Sequence, residues 1–270
     1  MKSLLTIAGF DASSGAGVIR DTDTFFSFGF HAIAVPTCTV VQGPAGVVRI
    51  EPSPQELFRD TLRAATRGVG ITGLKMGVLG DESHVMETAG FIAKRKNLPV
   101  IIDPVFAAKN DVPLITDAGR QACLTHLFQR AFAVTPNTDE ASLITGIHVT
   151  TVEAAKKAAK KIKLHFGPRN VIVKGGHLEG DPVDVLFDGK EFIVHKKKKI
   201  PRVVHGTGCS FSSILTCFVA SGYPIGDAFR ATQDYLERLL KLSYRIDTKG
   251  YYYISSALIH ARHDRTPKNN

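Results

Sequence analysis

Short runs rich in Val and Ile alternate along the chain with stretches whose apolar residues recur every three or four positions. Positions 4–8, 32–41, 73–78, 100–102, 131–134 and 171–173 read as strands, because continuous apolar runs bounded by Gly, Pro or Asp suit strands buried on both faces. Between them, residues 17–28, 54–67, 82–96, 117–129 and 151–166 carry helical periodicity. This alternation predicts an α/β fold, a largely parallel sheet with helices on both faces. After Lys174 the order changes, and 183–187 and 191–194, joined through Asp188-Gly189-Lys190, predict an antiparallel hairpin, since an Asp-Gly step suits a tight turn. Two long helices, from about 208 and 225, close the pattern. No repeat, low-complexity linker or composition break divides the chain, so one domain is predicted.

Composition narrows the function classes. With 270 residues and 44% hydrophobic content the chain can bury a sizeable core. The N-terminal apolar run is too short before Asp11 for a secretory signal, and the uncharged stretch 209–226 is broken by Ser, Thr, Gly and Pro, so no membrane segment is predicted. The four cysteines, Cys38, Cys123, Cys209 and Cys217, form no CxxC pair, which argues against a zinc site or disulfide framework and for a reducing cytoplasm. The net charge of +9 concentrates in Lys156-Lys157, Lys160-Lys161, Lys163 and Lys196-Lys197-Lys198-Lys199. These clusters read as a solvated helix face and a protected sheet edge. Without an aromatic stacking platform or a DNA-binding motif, a nucleic-acid partner is not expected, although a positive field can steer anionic substrates.

In open α/β sheets ligands sit beyond the carboxyl ends of the strands. Those ends carry Gly9-Phe10-Asp11-Ala12-Ser13-Ser14-Gly15-Ala16-Gly17, Val41-Gln42-Gly43, Lys75-Met76-Gly77, Asp103-Pro104-Val105, Thr135-Pro136-Asn137 and Lys174-Gly175-Gly176-His177. The richest segment is His205-Gly206-Thr207-Gly208-Cys209, a glycine turn running into a small-residue helix. Unpaired N–H groups and the helix dipole make such a start an anion hole. Cys209 adds a thiol whose pKa is expected to fall in that field; the alternative is a plain turn before a buried helix with a core cysteine. Asp21, about one turn into the helix behind the first glycine loop, can reach a ligand hydroxyl or amino group, or simply offset the helix dipole. Asn137 and Glu140 equally fit an N-cap with a first-turn acid. No Gly-Lys is followed by Ser or Thr, and a GxGxxG match from Gly206 fails at Phe211, so P-loop and Rossmann readings are weak.

Taken in order, Leu5-Thr6-Ile7-Ala8-Gly9, Ser14-Gly15-Ala16-Gly17, Lys75-Met76-Gly77, Asp103-Pro104-Val105, Thr135-Pro136-Asn137 with Glu140, Val173-Lys174-Gly175-Gly176-His177 and His205-Gly206-Thr207-Gly208-Cys209 resemble the hydroxymethylpyrimidine/phosphomethylpyrimidine kinases of thiamin biosynthesis. The resemblance covers residues 3 to about 240. It implies a ribokinase-like three-layer sandwich, a single kinase domain over residues 1–250 and a divergent C-terminal tail over 251–270. The implied activity is ATP-dependent phosphorylation of 4-amino-5-hydroxymethyl-2-methylpyrimidine and then of its monophosphate, with Mg²⁺, in a cytoplasmic homodimer.

Carried over residue by residue, the resemblance makes Gly9, Asp21, Gln42, Met76 and Val105 the pyrimidine pocket. An amide at Gln42 both donates and accepts, like the aminopyrimidine edge, and a thioether at Met76 suits an aromatic face. Lys174, Asn137 and Thr207 fall at the ATP phosphates, and Glu140 and Asp103 at the metal. Cys209, with Gly206 and Gly208, takes the catalytic position, where relatives in the wider superfamily carry an aspartate base. Phosphoryl transfer needs positioning and charge neutralisation more than a strong base.

The chain departs from the family pattern at three places. Phe10 is bulkier than the usual residue and is expected to narrow or cover the substrate site, and Gly43-Pro44 is expected to reshape the loop after Gln42. Tyr251-Tyr252-Tyr253 and a basic end replace a Gly-His-rich closing segment, which alters the expected dimer contacts and the rim of the ATP site. Pyridoxal kinase is the alternative activity, and a non-catalytic pyrimidine-binding sensor is the alternative of a different class. His205 and His177 flank the crevice as hydrogen-bonded loop histidines with no catalytic role assigned.

Overall fold

The computed structural model describes residues 1–43, 46–108, 110, 112–176, 181–198, 200–246 and 252–256. Its elements run β1 (Ser3–Asp11), α1 (Gly17–Ser27), β2 (His31–Gly43), β3 (Gly46–Pro52), α2 (Gln55–Thr66), β4 (Ile71–Met76), α3 (Glu82–Ala93), β5 (Val100–Ile102), α4 (Asp117–Ala122), β6 (Ala133–Val134), α5 (Thr138–Thr145), α6 (Val152–Phe166), β7 (Val171–Val173), β8 (Val183–Phe187), β9 (Phe192–Lys196), α7 (Thr207–Ala220) and α8 (Ile225–Lys241). The strands form one sheet in the order β3-β2-β1-β4-β5-β6-β7-β8-β9. The centre, from β2 to β7, is parallel, and β3, β8 and β9 pair antiparallel at the two ends.

Residue alternation along each strand assigns the two faces. In β1, Leu5 and Ile7 join a large core cluster with Phe58 of α2, Val85 of α3 and Ile162 of α6, whereas Leu4 packs with Phe25 of α1 and Cys217 of α7. A strand buried on both faces has to be apolar throughout, which is why β1 stands out in the sequence. β4 follows the same rule with one exception: Leu74 and Met76 point into the large core, while Lys75 faces the α1 and α7 side with no exposed surface. Helices α2 to α6 thus cover one face and α1, α7 and α8 the other, giving the three predicted layers.

Three local differences from the sequence reading have physical causes. The edge strand β3 breaks alternation with Gly46, Arg49 and Pro52, and leaves Val48 largely exposed. The predicted helix 117–129 is α-helical only to Ala122, then opens into a π turn over Cys123–Leu127 and a 3-10 turn over Phe128–Arg130. The shift turns Leu127 and Phe128 inward, where both are fully buried. α5 is too short for a periodic signal and is announced only by its cap.

The basic clusters also divide. Lys156 pairs with Glu153 on the exposed face of α6 at 2.7 Å, as expected of a solvated helix. Lys197, just past edge strand β9, instead reaches the buried Asp184 at 2.6 Å, which also accepts from Gln233 and from the Gly175 N–H. Among the described residues no helix is long and apolar enough to cross a membrane. Residues 252–256 pack against the rest of the domain. Tyr252 bridges Val204, and Arg20 of α1 donates to the Ile254 carbonyl and, at 3.4 Å, to Ser256 Oγ.

Candidate active site at the carboxyl ends of the strands

A cavity of about 230 Å³ lies beyond the carboxyl ends of the central strands. It is lined by the start of α7 with Lys174 and Asp103, and by Asp11, Gln42 and Val105.

The phosphate-like end is built from backbone and charge. Gly206 has φ of 73°, and a Cβ there would collide with the Gly15 carbonyl oxygen, so only glycine lets the loop before α7 cross the β1–α1 loop. The first i to i−4 bond of α7 runs from Ser210 N–H to the Gly206 carbonyl. The N–H groups of Thr207, Gly208 and Cys209 therefore have no intrahelical acceptor, and all three residues line the cavity. A Cβ on Gly208 would stand 3.2 Å from Lys174 Nζ and 3.6 Å from Asp103 Oδ2, blocking the approach between helix start and lysine. Thr207 Oγ1 donates to the Val204 carbonyl at 3.2 Å and holds the turn.

Lys174 Nζ lies 2.6 Å from Asp103 Oδ1. Asp103 also accepts from Thr135 Oγ1 at 3.1 Å and Ser212 Oγ at 3.3 Å, which fixes it independently of the lysine. Burial works against the Lys174 charge, but Asp103 and Glu140 outweigh it and hold the ammonium above its ordinary pKa. Asn137 and Glu140 form a reciprocal capping box at the start of α5: Glu140 N–H donates to Asn137 Oδ1 at 2.8 Å, and Asn137 N–H to Glu140 Oε2 at 2.7 Å. Both residues also line the cavity. Burial pushes the Glu140 carboxyl up to about 8, and the neighbouring Asp103 adds to the shift against the pull of Lys174. A carboxyl pushed up by burial and a neighbouring carboxylate is relieved by a cation between the two. Their hard oxygens suit Mg²⁺, which keeps most of its waters, so Asp103 and Glu140 fit the metal as a sparse donor pair. Among the described residues no group of three or more His, Cys, Asp or Glu is arranged to hold a metal directly.

Three predicted site residues require correction. Asp21 has no exposed surface and does not line the cavity. Its carboxylate is consumed by Lys75 Nζ at 2.9 Å, Thr6 Oγ1 at 2.6 Å and Ser213 Oγ at 2.6 Å, so it braces the floor. Met76 points into the core under α2 and α3, because neighbouring strand residues face opposite ways. Lys75, Gly77 and Val78 line the cavity instead. Cys209 does line the cavity, but burial pushes its thiol up rather than down, against the pull of Lys75 and a hydrogen bond from the Gly17 N–H. The helix start thus offers no standing thiolate.

The opposite end is a cluster of side chains fixed by one another. Gly9, Gln42 and Val105 line it, and β2 runs on through Gln42 to Gly43. Phe10 does not line the cavity; it alternates outward and is 38% exposed, so the expected narrowing does not occur. Pro44 and His177 lie outside the described residues. Asp11, which sequence reasoning left without a role, closes this end. One of its oxygens accepts from Ser13 N–H at 2.8 Å, and the other from Ser13 Oγ and Ala16 N–H, each at 2.9 Å. His205 Nε2 lies 2.9 Å from Asp11 Oδ2 and 3.5 Å from the Gln42 amide nitrogen. Burial would raise the Asp11 pKa, yet hydrogen bonds from His205, Gln42 and Ser13 hold it down at about 2. Behind His205, the N–H donates to the Tyr252 carbonyl at 2.8 Å and the Tyr253 ring packs edge-on at 6.0 Å. The divergent tail therefore supports the site from behind. An Asp-x-Ser turn just past a strand was the available signal for Asp11, and a lysine inside an apolar strand was the signal for Lys75.

The description of the phosphomethylpyrimidine kinase family matches residues 11–253. The chain is 32% identical over 249 residues to the hydroxymethylpyrimidine/phosphomethylpyrimidine kinase of Aquifex aeolicus, covering 92% of this chain and 97% of the relative. It is similar to the crystal structure of phosphomethylpyrimidine kinase from Clostridium difficile 630, with a TM-score of 0.78, 30% identity, and coverage of 88% of this chain and 99% of that one. It is also similar to pyridoxal kinase from Staphylococcus aureus in complex with pyridoxal, with a TM-score of 0.86, 26% identity, and coverage of 98% and 96%. The strand-end motifs, the glycine-built helix start and these matches agree: the chain belongs to the phosphomethylpyrimidine kinase family.

Proposed function

We propose that the chain transfers the γ-phosphoryl group of ATP to the hydroxymethyl group of 4-amino-5-hydroxymethyl-2-methylpyrimidine, and a second phosphoryl group to the resulting monophosphate, in thiamin biosynthesis. The observation that carries this reading is one cavity joining an anion-binding helix start beside Lys174 to an end presenting the Gln42 amide.

The N–H groups of Thr207, Gly208 and Cys209 face the transferring phosphoryl group and stabilise charge on its oxygens without reorganising. Lys174 turns from Asp103 to the phosphates, which is possible because Thr135 and Ser212 keep Asp103 in place. Asp103 and Glu140 would hold Mg²⁺ through its waters, and the metal would supply charge neutralisation on the phosphates. The Gln42 amide reads the ring edge, with Val78 and Val105 as apolar walls. The hydroxyl oxygen attacks phosphorus as the bond to ADP breaks, and in a loose transition state its proton leaves late. A protonated Cys209 is compatible with that chemistry, so the backbone carries more of the catalysis than the thiol.

The same reading takes a reducing cytoplasm as the setting, supported by four free cysteines, of which Cys38, Cys123 and Cys217 are buried. The family resemblance supports a homodimer. A second reading, pyridoxal kinase, has the Staphylococcus aureus structure in its favour; an amide at Gln42 favours the aminopyrimidine. Incubating the purified protein with Mg-ATP and the pyrimidine, and following ADP release and product mass, tests the proposal. Products carrying one and then two added phosphoryl groups are expected. Binding of the pyrimidine with no ADP released would leave a sensor instead.

A further inference from the structure

Asp184 of β8 has 1% of its surface exposed and does not line the cavity, yet it meets three separate parts of the chain. Its Oδ1 accepts from the Gly175 N–H at 2.9 Å, and its Oδ2 accepts from Lys197 Nζ at 2.6 Å and Gln233 Nε2 at 2.7 Å. Register explains the placement. Val173 of β7 pairs with Val185 of β8, so the next position would set Lys174 against Asp184, but β7 ends at Val173. Ile172 and Leu186, each two residues away on its own strand, belong to the core under α7 and α8, so Lys174 and Asp184 share that face of the sheet. The Lys174 ammonium turns to Asp103, not to Asp184. What Asp184 holds is the backbone beside it. The Lys174 N–H donates to the Pro136 carbonyl at 2.8 Å on one side, and the Gly175 N–H to Asp184 on the other. The main chain of Lys174 is therefore pinned from both sides where its side chain enters the cavity.

We infer that Asp184 is a positioning residue that fixes the backbone at Gly175 and so aims Lys174 at the phosphates of the nucleotide. This rests on the proposed reading of Lys174 as the phosphate-binding cation. Lys174 has to leave Asp103 when phosphate arrives, and an ammonium on a flexible four-carbon stem lands accurately only if its Cα stays in place. A carboxylate accepting a backbone N–H is a stiff anchor, because charge-assisted hydrogen bonds are roughly twice as strong as neutral ones. Lys197, just past β9, offsets the charge of the buried carboxylate, and Gln233 of α8 shares the same oxygen and keeps it from turning. The aim of one cavity lysine thus depends on residues of β8, α8 and the sheet edge that never touch a ligand.

The test is a double-mutant cycle on kcat, following ADP release by the wild type, Asp184→Ala, Lys174→Met and the two combined, with thermal melting as the check on folding. Asp184→Ala is expected to lower kcat about ten-fold or more, because a small misplacement of a charged group is costly. Its affinity for 4-amino-5-hydroxymethyl-2-methylpyrimidine, read by calorimetry, should not change. In the Lys174→Met background the same substitution is expected to cost less than about two-fold, since no ammonium is left to aim. Asp184→Asn should recover most of the lost rate: its carbonyl can accept from Gly175, and its NH₂ can meet Gln233 Oε1, which has no partner among the described residues. Additive losses in the cycle, or a loss in Asp184→Asn equal to that in Asp184→Ala, overturn the inference. So does a pyrimidine affinity that falls in step with kcat, as a merely structural role would give. Should Asp184→Ala not fold, Asp184→Leu takes its place in the apolar strand, and failure of both to fold overturns the inference by making Asp184 a brace of the whole domain. Failure of the kinase reading shows separately, as no ADP release from the wild type. The cycle is then read on Mg-ATP affinity, where the same non-additive pattern is expected and additive losses overturn the inference.

Discussion

Lys75 and Lys174 both lie at the carboxyl ends of sheet strands and each pairs with an aspartate, at 2.9 Å to Asp21 and 2.6 Å to Asp103. Their surroundings differ. The Lys75–Asp21 pair has no exposed surface, and Asp21 is further tied to Thr6 and Ser213. Lys174 keeps 14% of its side chain exposed at the cavity, and its partner Asp103 is held by Thr135 and Ser212 whether or not the lysine stays. The first pair is closed and braces α1 and α7 against the sheet. The second can open, because a phosphate can replace the carboxylate as partner of Lys174. Accessibility, not residue type, separates brace from tool.

Four perturbations bear on this contrast. The largest effect on stability is expected for Lys75→Met, which strands the Asp21 charge in the interior and should cost about 3–5 kcal/mol in urea unfolding; a loss below about 1 kcal/mol would show that the pair is not a brace. Lys174→Met should keep the fold while turnover falls about 10²- to 10³-fold, and near-wild-type steady-state rates would remove Lys174 from the mechanism. For Cys209→Ala a smaller fall, about ten-fold, is expected with nucleotide affinity retained, because a buried protonated thiol is not a strong base. A fall as large as that for Lys174→Met would restore the cysteine as the base. The smallest effect is on pH dependence. Glu140, raised to about 8, holds its proton through neutral pH, so a cation must displace it and Mg-nucleotide affinity should rise several-fold between about pH 6.5 and 8.5. Glu140→Gln should flatten that rise in a calorimetric titration. The sign for stability runs the other way. The raised pKa favours the folded state below the ordinary carboxyl value, and that contribution is lost as pH climbs toward 8.

Much of this arrangement is legible in the sequence. Strands buried on both faces leave continuous apolar runs, which is why β1, β4 and β7 stand out, and glycines at 206 and 208 announce a helix start open to the cavity. Strand parity is legible too, but only when residues are counted on from Lys75. That count places Met76 in the core and Gly77, with Lys75, on the cavity face. Burial is the property the sequence hides. Asp21 looks like a first-turn acid, and the Lys75 and Ser213 side chains that close it come from β4 and α7, distant in the chain; Cys209 looks like an activated thiol, and burial with Asp21 and Asp103 nearby reverses that reading. The role of Asp11 is hidden similarly, since its partners Gln42 and His205 arrive from β2 and from the loop that the tail residues Tyr252 and Tyr253 support.

The most direct test of the account is a competition in one vessel: purified protein, Mg-ATP, and equal amounts of the aminopyrimidine and pyridoxal, with phosphorylated products separated by mass as ADP is released. The account expects pyrimidine phosphates to form first and in large excess. Pyridoxal phosphate as the dominant product would contradict it.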